Sequence, residues 1–237
     1  MSVPPESELK PGKKSRLCRA HLPFFPGTTL FDALARAVCA ELFEAWETAK
    51  RVRRRFHGGT VVDFAAGHGL VAYAMLLLDR GSDAAICVDV ARPPSFARLE
   101  QAISRAWPRL AGRVRYVEQR GGAAAVTLPD DAVLVCVHGC GTITDDVLTR
   151  AIAGGHRVAV LPCCHSRDRC DTGRLLGWLP VDVAVDATRA ARLGAAGFQV
   201  WTQTIPAAIT PQNRLLLAAP DEGAPRPRLE PPPAGSV

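Results

Sequence analysis

The sequence has no apolar run of the roughly 18 to 20 residues that a membrane-spanning helix requires. Its longest candidate, Leu70–Leu78, is typical of a buried helix. The first 19 residues include basic side chains, but no apolar segment follows them, so we expect no signal peptide. These absences predict a cytoplasmic protein without a membrane partner.

No two of the eight cysteines form a C-x-x-C pair, which is the spacing of many zinc sites. Cys87 and Cys136 stand inside apolar segments, where cysteine behaves as a small buried hydrophobic residue. Together with the missing signal peptide, this pattern favours reduced thiols in a reducing compartment over a disulfide framework.

The 237 residues are enough for one sizeable domain with its own core. The hydrophobic fraction of 48% and the charged fraction of 22% are those of a globular protein. The net charge of +6 favours an anionic partner such as RNA. A compositional bias toward alanine and arginine explains the same charge without any functional role, so both interpretations stay open.

Both ends of the chain are polar and contain several prolines. Residues 1–16 and the Pro-rich residues 220–237 carry few large apolar side chains, so we expect both to be disordered. The remaining residues, 17–219, are predicted to form one domain, in which residues 17–57 are a helical extension.

A long helix is predicted before the first strand. Apolar residues recur at helical spacing after Thr28 and Thr29, either of which is a candidate cap. Gly58 and Gly59 then end the helix.

Apolar segments and helical patterns alternate through the rest of the chain, which favours a mostly parallel sheet covered by helices on both faces. The segment between the last two strands, 206–213, is too short for a helical crossover, so the last strand is expected to be antiparallel. The fold class is therefore α/β, with a Rossmann-like seven-stranded sheet. The predicted strands are 60–65, 84–90, 113–118, 131–137, 157–162, 198–205 and 214–219, and the helices between them are 70–80, 95–107, 144–153 and 187–196.

A turn of small residues follows the first predicted strand. Asp63, Ala65, Gly67 and Gly69 lie in the sequence VVDFAAGHG, directly before an apolar helix. A turn of this kind lets the backbone approach a ligand and directs the N–H groups of the next helix toward it. A tight strand-to-helix turn without a ligand is the alternative.

Asp89 ends the second predicted strand, where a carboxylate can accept hydrogen bonds from the hydroxyl groups of a ribose. The turn before it lacks the G-x-G-x-x-G pattern of dinucleotide folds, because Ala65 stands at the first glycine. A carboxylate at Asp63 would repel a pyrophosphate and suits a ligand with an amino-acid end. The pattern therefore favours S-adenosylmethionine over NAD.

The element Asp63-x-x-x-Gly67-x-Gly69 resembles motif I of class I S-adenosylmethionine-dependent methyltransferases, with Ala65 in place of its usual first glycine. The resemblance implies that Asp63, Ala65, Gly67 and Gly69 contact the methionine end of the cofactor. Asp89 would then contact the ribose.

Further motifs resemble one methyltransferase subfamily, which includes eukaryotic tRNA ribose 2′-O-methyltransferases and several methyltransferase-like proteins. They are an H-x-C-G-x-x-T-D element at His138–Asp145, a P-C-C-H element at Pro162–His165 and a T-P-x-N element at Thr210–Asn213. Ser166 replaces the second histidine of the tRNA enzymes, and Cys170 falls two residues late. These departures weaken the case for a tRNA substrate more than the case for methyl transfer. RNA stays slightly favoured as the acceptor.

Two of these motifs follow the fourth and fifth strands, and ligands of open parallel sheets bind beyond the carboxyl ends of the strands. His138, Asp145 and His165 are the candidate catalytic residues, because an oxygen or ring-nitrogen acceptor can require a general base. Gly139 and Gly141 would let the backbone approach the cofactor. The alternatives are a helix-dipole contact for Asp145 and a backbone contact for His138.

A zinc site is a weaker hypothesis. Thiolates and imidazole suit zinc, but adjacent strand residues such as Cys163 and Cys164 point to opposite faces. We therefore expect no metal and reduced cysteines beside the cofactor pocket. The residues that could converge are Cys140, Cys163, Cys164, His165 and Cys170.

Five basic residues cluster near the end of the first helix, at Lys50, Arg51, Arg53, Arg54 and Arg55. They form either a solvated helix end that complements the dipole or a surface beside the active site that binds phosphates. Few aromatic residues interleave with them, so base stacking has little support.

Two other functions compete with methyl transfer. One is a nicotinamide-dependent oxidoreductase on the same fold, and the other is a module that binds the cofactor without turnover. Fold alone does not choose among them, and the oligomeric state cannot be deduced from the sequence.

Overall fold

The computed structural model describes residues 30–119, 126–140, 142–221 and 223. Both predicted tails fall almost entirely outside these residues, as do the candidate caps Thr28 and Thr29 and the motif residue Gly141. The chain forms two units, residues 1–41 and 42–237. The described part of the first unit is helical, and the second unit contains the sheet.

All seven predicted strands are present, so the strand predictions are confirmed. The apolar segments that form them are almost wholly buried in the centre of the sheet, as expected for strands covered on both faces. Their bounds are β1 Val61–Phe64, β2 Ala85–Asp89, β3 Val114–Glu118, β4 Val133–Val137, β5 Arg157–Leu161, β6 Phe198–Thr204 and β7 Arg214–Pro220.

The sheet order is β3-β2-β1-β4-β5-β7-β6. Strands β1 to β5 pair in parallel, whereas β7 is antiparallel to both β5 and β6. Six strands therefore run in one direction and only β7 runs against them, which confirms the predicted fold class. The position of β7 inside the sheet, between β5 and β6, did not follow from the sequence.

In the part of the chain that the structure describes, five α-helices connect or precede the strands, at α1 Leu30–Arg53, α2 Leu70–Leu78, α3 Pro94–Ala106, α4 Ile143–Gly154 and α5 Val181–Ala195. Four agree closely with the sequence predictions. Helix α5 begins six residues earlier than predicted, directly after Pro180. Among the described helices, none is long and apolar enough to cross a membrane.

Two hydrophobic cores lie on the two faces of the sheet. One contains the apolar residues of α2 and Phe96 of α3, together with α1 residues from Ala45 onward. The other contains Val147 and Leu148 of α4 and Leu193 of α5. Helices thus cover both faces of the described sheet.

Candidate functional site

The turn after β1 has an unusual backbone. Ala65 (φ 56°), Gly67 (φ 51°) and Gly69 (φ 80°) all lie in the left-handed region, which L-residues with a side chain rarely adopt. The N–H of Ala66 donates to the carbonyl of Val88 at 3.3 Å. The turn therefore rises from the carboxyl edge of the sheet beside the end of β2.

Gly67 and Gly69 are required for different reasons. A Cβ at Gly69 would lie 3.1 Å from the ring of Phe96 and 3.3 Å from the sulfur of Cys87, so a side chain there has little room. A Cβ at Gly67 would meet no atom within 4 Å. The space in front of Gly67 is therefore open, and the approach of a ligand to the backbone there stays a prediction.

Asp63 lies behind the turn. Its side chain is 1% exposed, and its Oδ2 accepts a 3.3 Å hydrogen bond from the N–H of Ala72 in α2. Burial raises the pKa of Asp63 to about 8, and the nearby Asp89 raises it further, against the hydrogen bond from Ala72.

Asp63 therefore joins β1 to α2, and its burial favours the protonated form of the carboxyl group. The argument that its charge selects an amino-acid end over a pyrophosphate stays a prediction, and burial acts against that charge. A direct contact between Asp63 and a cofactor stays a prediction.

Asp89 connects the end of β2 to the same turn. One oxygen accepts from the N–H of Val90 at 2.5 Å and the other accepts from the N–H of Gly67 at 3.0 Å. A contact between this carboxylate and a ribose hydroxyl stays a prediction. The Tyr116 hydroxyl donates to the carbonyl of Gly67 at 3.0 Å and fixes the turn from β3.

His138 follows β4 in a left-handed conformation with φ 58°. Its N–H donates to the carbonyl of Leu161 at 2.9 Å. Its Nε2 lies 2.5 Å from Oε2 of Glu44 on α1, and the two side chains are 30% and 9% exposed. Since Phe64 of β1 pairs with Cys136 of β4, His138 and the glycine turn leave the sheet side by side.

Gly139 has a packing role that the sequence did not reveal. A Cβ there would lie 2.3 Å from the sulfur of Cys136, so no side chain fits. Its carbonyl accepts a 3.0 Å hydrogen bond from Thr144, which anchors the start of α4. Close packing thus explains the glycine, and its contact with the cofactor stays a prediction.

Asp145 is engaged by an arginine from α5. Arg189 donates from Nε to Oδ1 at 2.9 Å and from Nη2 to Oδ2 at 2.7 Å, and Arg189 is 2% exposed. Both oxygens of the Asp145 carboxylate are thus engaged by the guanidinium. The structure therefore favours a positioning role for Asp145 over the predicted role as a general base.

His165 belongs to the same charged network. Its Nε2 lies 2.8 Å from Oδ1 of Asp186, which also accepts from Arg189 at 3.2 Å. Arg214 of β7 bonds the other oxygen of Asp186 at 2.8 Å. Burial acts to raise the pKa of Asp186, but the hydrogen bonds from His165 and Arg214 outweigh it and lower this pKa. The side chain of His165 is only 5% exposed.

The sulfurs of Cys140, Cys163 and Cys164 converge at the carboxyl ends of β4 and β5. Their mutual distances are 3.6, 3.5 and 3.5 Å. The objection that Cys163 and Cys164 point to opposite faces of a strand does not apply, because β5 ends at Leu161. Three soft ligand atoms thus lie close enough to share one metal ion.

A cavity of about 510 Å³ lies between α5 and the strands β6 and β7. Pro162, just beyond β5, lines one side of it, and Asp186 and Arg214 supply charged groups to its wall. The volume is in the range of small-molecule sites.

The basic cluster at the end of α1 is not beside this site. Arg53 is buried, and its guanidinium donates to the carbonyl of Gly58 and to Ser82, which precede β1 and β2. It therefore lies at the amino edge of the sheet, opposite the candidate site. Lys50 and Arg51 both pair with Glu47, and Arg55 lies over the ring of Trp201 at 4.4 Å, so four of the five cations have structural partners.

Sequence reasoning missed Glu44, Tyr116 and the charged pair Asp186 and Arg189. The last two are three residues apart in α5, a spacing that places side chains on the same helix face. The predicted helix begins at Ala187, so Asp186 falls outside it. Pro180, a typical helix-start residue, could have revealed the earlier start of α5.

The fold and this edge define a class of protein. A left-handed glycine turn after β1, an acidic residue ending β2 and a polar loop after β4 meet at the carboxyl edge of a Rossmann-like sheet. This arrangement is typical of proteins that bind a nucleoside cofactor.

Residues 37–168 match the model of a family described as a methyltransferase domain, so the chain belongs to that family. Membership confirms the expected methyltransferase class, and the cofactor that it implies is S-adenosylmethionine. The finer subfamily, and its relation to RNA 2′-O-methylation, stays a prediction.

Solved structures share the fold. The chain is similar to a candidate O-methyltransferase from Nostoc punctiforme PCC 73102, with 20% identity, a TM-score of 0.52, and coverage of 79% of this chain and 59% of that one. It is also similar to the S-adenosylmethionine-dependent methyltransferase SibL, with 18% identity, a TM-score of 0.50, and coverage of 84% and 60%. The chain thus spans about three fifths of the length of these proteins. No curated protein matches the sequence.

Proposed function

We propose that this chain transfers the methyl group of S-adenosylmethionine to an acceptor bound beyond the carboxyl ends of β4 and β5, with His138 as the proton acceptor. The observation that best supports this proposal is the strained backbone of His138. His138 combines a left-handed backbone with a ring bonded to Glu44, beside the glycine turn of β1. Unfavourable backbone of this kind is often maintained at functional sites.

The residues around the turn fit the cofactor. The open space at Gly67 allows a ligand to reach the backbone, and the Asp89 carboxylate ends β2 beside the same turn. When bound, the cofactor supplies an electrophilic methyl group. Gly67 and the N-terminus of α2 would hold its methionine end, and Asp89 its ribose.

Glu44 orients the ring of His138. If Nε2 donates its proton to the carboxylate of Glu44, Nδ1 carries the lone pair that can accept a proton from the acceptor. The side chain of His138 is 30% exposed, whereas that of His165 is 5% exposed and held by Asp186. Of these two histidines, His138 is therefore the better placed to meet an acceptor.

Two candidates for the acceptor are RNA and a small molecule. RNA follows from the resemblance to tRNA-modifying enzymes, but the position of the basic cluster at the opposite edge removes one support for it. A small molecule is the second candidate, and the cavity beside Pro162 favours it. Asp186 and Arg214 on its wall are paired with each other, and most of the other lining residues are apolar, so the cavity suits an acceptor with apolar surface.

The first experiment is a calorimetric titration with S-adenosylhomocysteine, with NADH as the competing ligand. Asp89→Ala should weaken binding, because the variant loses both the ribose partner and the hydrogen bond to Gly67. Asp83→Ala is the matched control, since the side chain of Asp83 is 91% exposed and lies before β2. Labelled methyl transfer to RNA, protein and small-molecule fractions of a cell extract then distinguishes the acceptors.

The rival functions give different results. Stronger binding of NADH than of S-adenosylhomocysteine would favour an oxidoreductase and refute the proposal. Binding of the homocysteine compound without transfer to any fraction would favour a silent cofactor-binding module.

A further inference from the structure

The three thiol groups at the ends of β4 and β5 form a nearly equilateral triangle. Their Sγ atoms are separated by 3.5 Å (Cys140 to Cys164), 3.5 Å (Cys163 to Cys164) and 3.6 Å (Cys140 to Cys163). Tetrahedral thiolates about 2.3 Å from a zinc ion are separated by about 3.8 Å. The triangle therefore needs only a small expansion to hold one ion at equal distances.

The sheet register brings these sulfurs together. Val137, the last residue of β4, pairs with Leu161, the last residue of β5, so the segments after both strands leave the sheet side by side. The hydrogen bond from the N–H of His138 to the carbonyl of Leu161 continues this pairing. Pro162 ends β5 because it has no N–H for the ladder. Cys163 and Cys164 therefore lie beyond the strand, where neighbouring side chains need not point to opposite faces.

A disulfide does not explain the arrangement. A bonded pair requires a separation of about 2.05 Å, and none of the cysteines whose side chains are described is in a disulfide. Any disulfide within the triangle would also leave the third thiol without an equivalent partner. A single ion, in contrast, uses all three sulfurs in the same way.

We propose that Cys140, Cys163 and Cys164 bind one zinc ion as thiolates, with the fourth coordination position occupied by water or an exogenous ligand. Soft sulfur ligands select zinc over magnesium or calcium. Cys163 is buried, whereas Cys140 and Cys164 are partly exposed, so solvent can reach the ion from one side. A three-ligand site with an open position differs from the closed four-ligand sites that serve structure alone.

The site would join two loops of the candidate active site. Cys140 precedes α4 and Cys163 follows β5, so an ion bound to both fixes the loops that carry His138 and His165. This inference rests on the three sulfurs and is independent of the methyl-transfer proposal. It also departs from the expectation that the chain binds no metal.

The test uses the full chain, purified with a reducing agent, stripped of metal and then loaded with Zn²⁺. We expect about one bound zinc per chain by elemental analysis. Replacement by Co²⁺ should give an absorption band from thiolate-to-metal charge transfer. Competition with a chromophoric chelator measures the affinity of the wild type and each variant.

Cys164→Ser should lower zinc affinity by more than the roughly 10- to 100-fold that loss of an outer-shell partner costs. Cys164→His should restore part of the affinity, because imidazole also binds zinc. Cys170→Ser is the matched control: Cys170 is buried and accepts from Arg189 at 3.9 Å, outside the triangle. This control should retain wild-type affinity.

Two results would overturn the inference. One is a reduced, folded wild-type chain that retains no zinc and shows no charge-transfer band with Co²⁺. The other is a zinc affinity that is unchanged in Cys140→Ser, Cys163→Ser and Cys164→Ser. Circular dichroism of each variant confirms that a loss of zinc is not a loss of fold.

Discussion

Arg189 on α5 donates two parallel hydrogen bonds to the carboxylate of Asp145 on α4, at 2.9 and 2.7 Å. The arginine is 2% exposed, so the pair is shielded from solvent on one side. Burial acts to lower the pKa of Arg189, but the hydrogen bonds and charge of Asp145 raise it above its usual value. The pair therefore stabilises the contact between the two helices.

Asp145→Ala should destabilise the protein by about 2 to 3 kcal/mol, because it leaves a buried guanidinium with only part of its partners. Asp186 still accepts from Arg189 at 3.2 Å in the variant, which limits the loss. Urea unfolding followed by circular dichroism measures it. Asp146→Ala is the control on the neighbouring exposed residue, with an expected change within about 0.5 kcal/mol. Equal stability of both variants, with activity lost only in Asp145→Ala, would instead support a general base.

The buried carboxyl of Asp63 should make stability depend on pH. Burial raises its pKa to about 8 in the folded chain, from 3.8, so folding favours the protonated form. This contribution is complete below about pH 4 and is lost as the pH rises through about 8, by at most about 1.4 kcal/mol per pH unit.

Asp63→Asn provides the reference, because its neutral amide does not titrate. The stability of the wild type relative to this variant should fall between about pH 5 and pH 8, as measured by urea unfolding at several pH values. A difference that stays constant over this range would show that Asp63 is ionised in the folded protein.

The two glycines of the turn should respond differently to alanine. Gly69→Ala should lower stability by about 2 to 3 kcal/mol, because it combines positive φ with contacts to Phe96 and Cys87. Gly67→Ala should cost about 1 kcal/mol, since its Cβ meets only open space.

Gly67→Ala should weaken the binding of S-adenosylhomocysteine although it costs little stability, because the added methyl group enters the space proposed for the ligand. Calorimetric titration of Gly67→Ala should therefore reveal weakened binding in a folded protein. Unchanged affinity would place the cofactor elsewhere.

His138→Asn should reduce methyl transfer by about 10²- to 10⁴-fold and leave binding of S-adenosylhomocysteine nearly unchanged. Asparagine tolerates the left-handed backbone, so the substitution removes the imidazole without adding strain. Rates are measured as labelled methyl transfer to the responsive extract fraction.

Glu44→Gln tests the positioning role of Glu44. It should give a smaller loss of rate and shift the pH profile of transfer, because the amide can still bond Nε2 but carries no charge. An unchanged rate in His138→Asn would remove His138 from the mechanism.

The strands were predictable because each is a nearly continuous apolar run, and burial on both faces requires such runs. The glycine turn and Asp89 were predictable because their local order is that of a nucleoside site. Both features depend on residues that are close together in the sequence.

The charged network was not predictable, because its members meet only in the folded chain. Asp145 and Arg189 are 44 residues apart, and Glu44 and His138 are 94 residues apart. The prediction that the side chains of Cys163 and Cys164 point to opposite faces of a strand was wrong for a local reason. Pro162 follows the end of β5, so both cysteines lie beyond the strand.

The order of the sheet has a consequence for synthesis on the ribosome. β7 is made after β6 but lies between β5 and β6, so those two strands cannot join the same sheet until Arg214–Pro220 has emerged. Until then, the apolar edge of β5 stays available to other nascent chains. We therefore expect a chain without Arg214–Pro220 to aggregate more readily than one in which β7 has paired with β5 and β6.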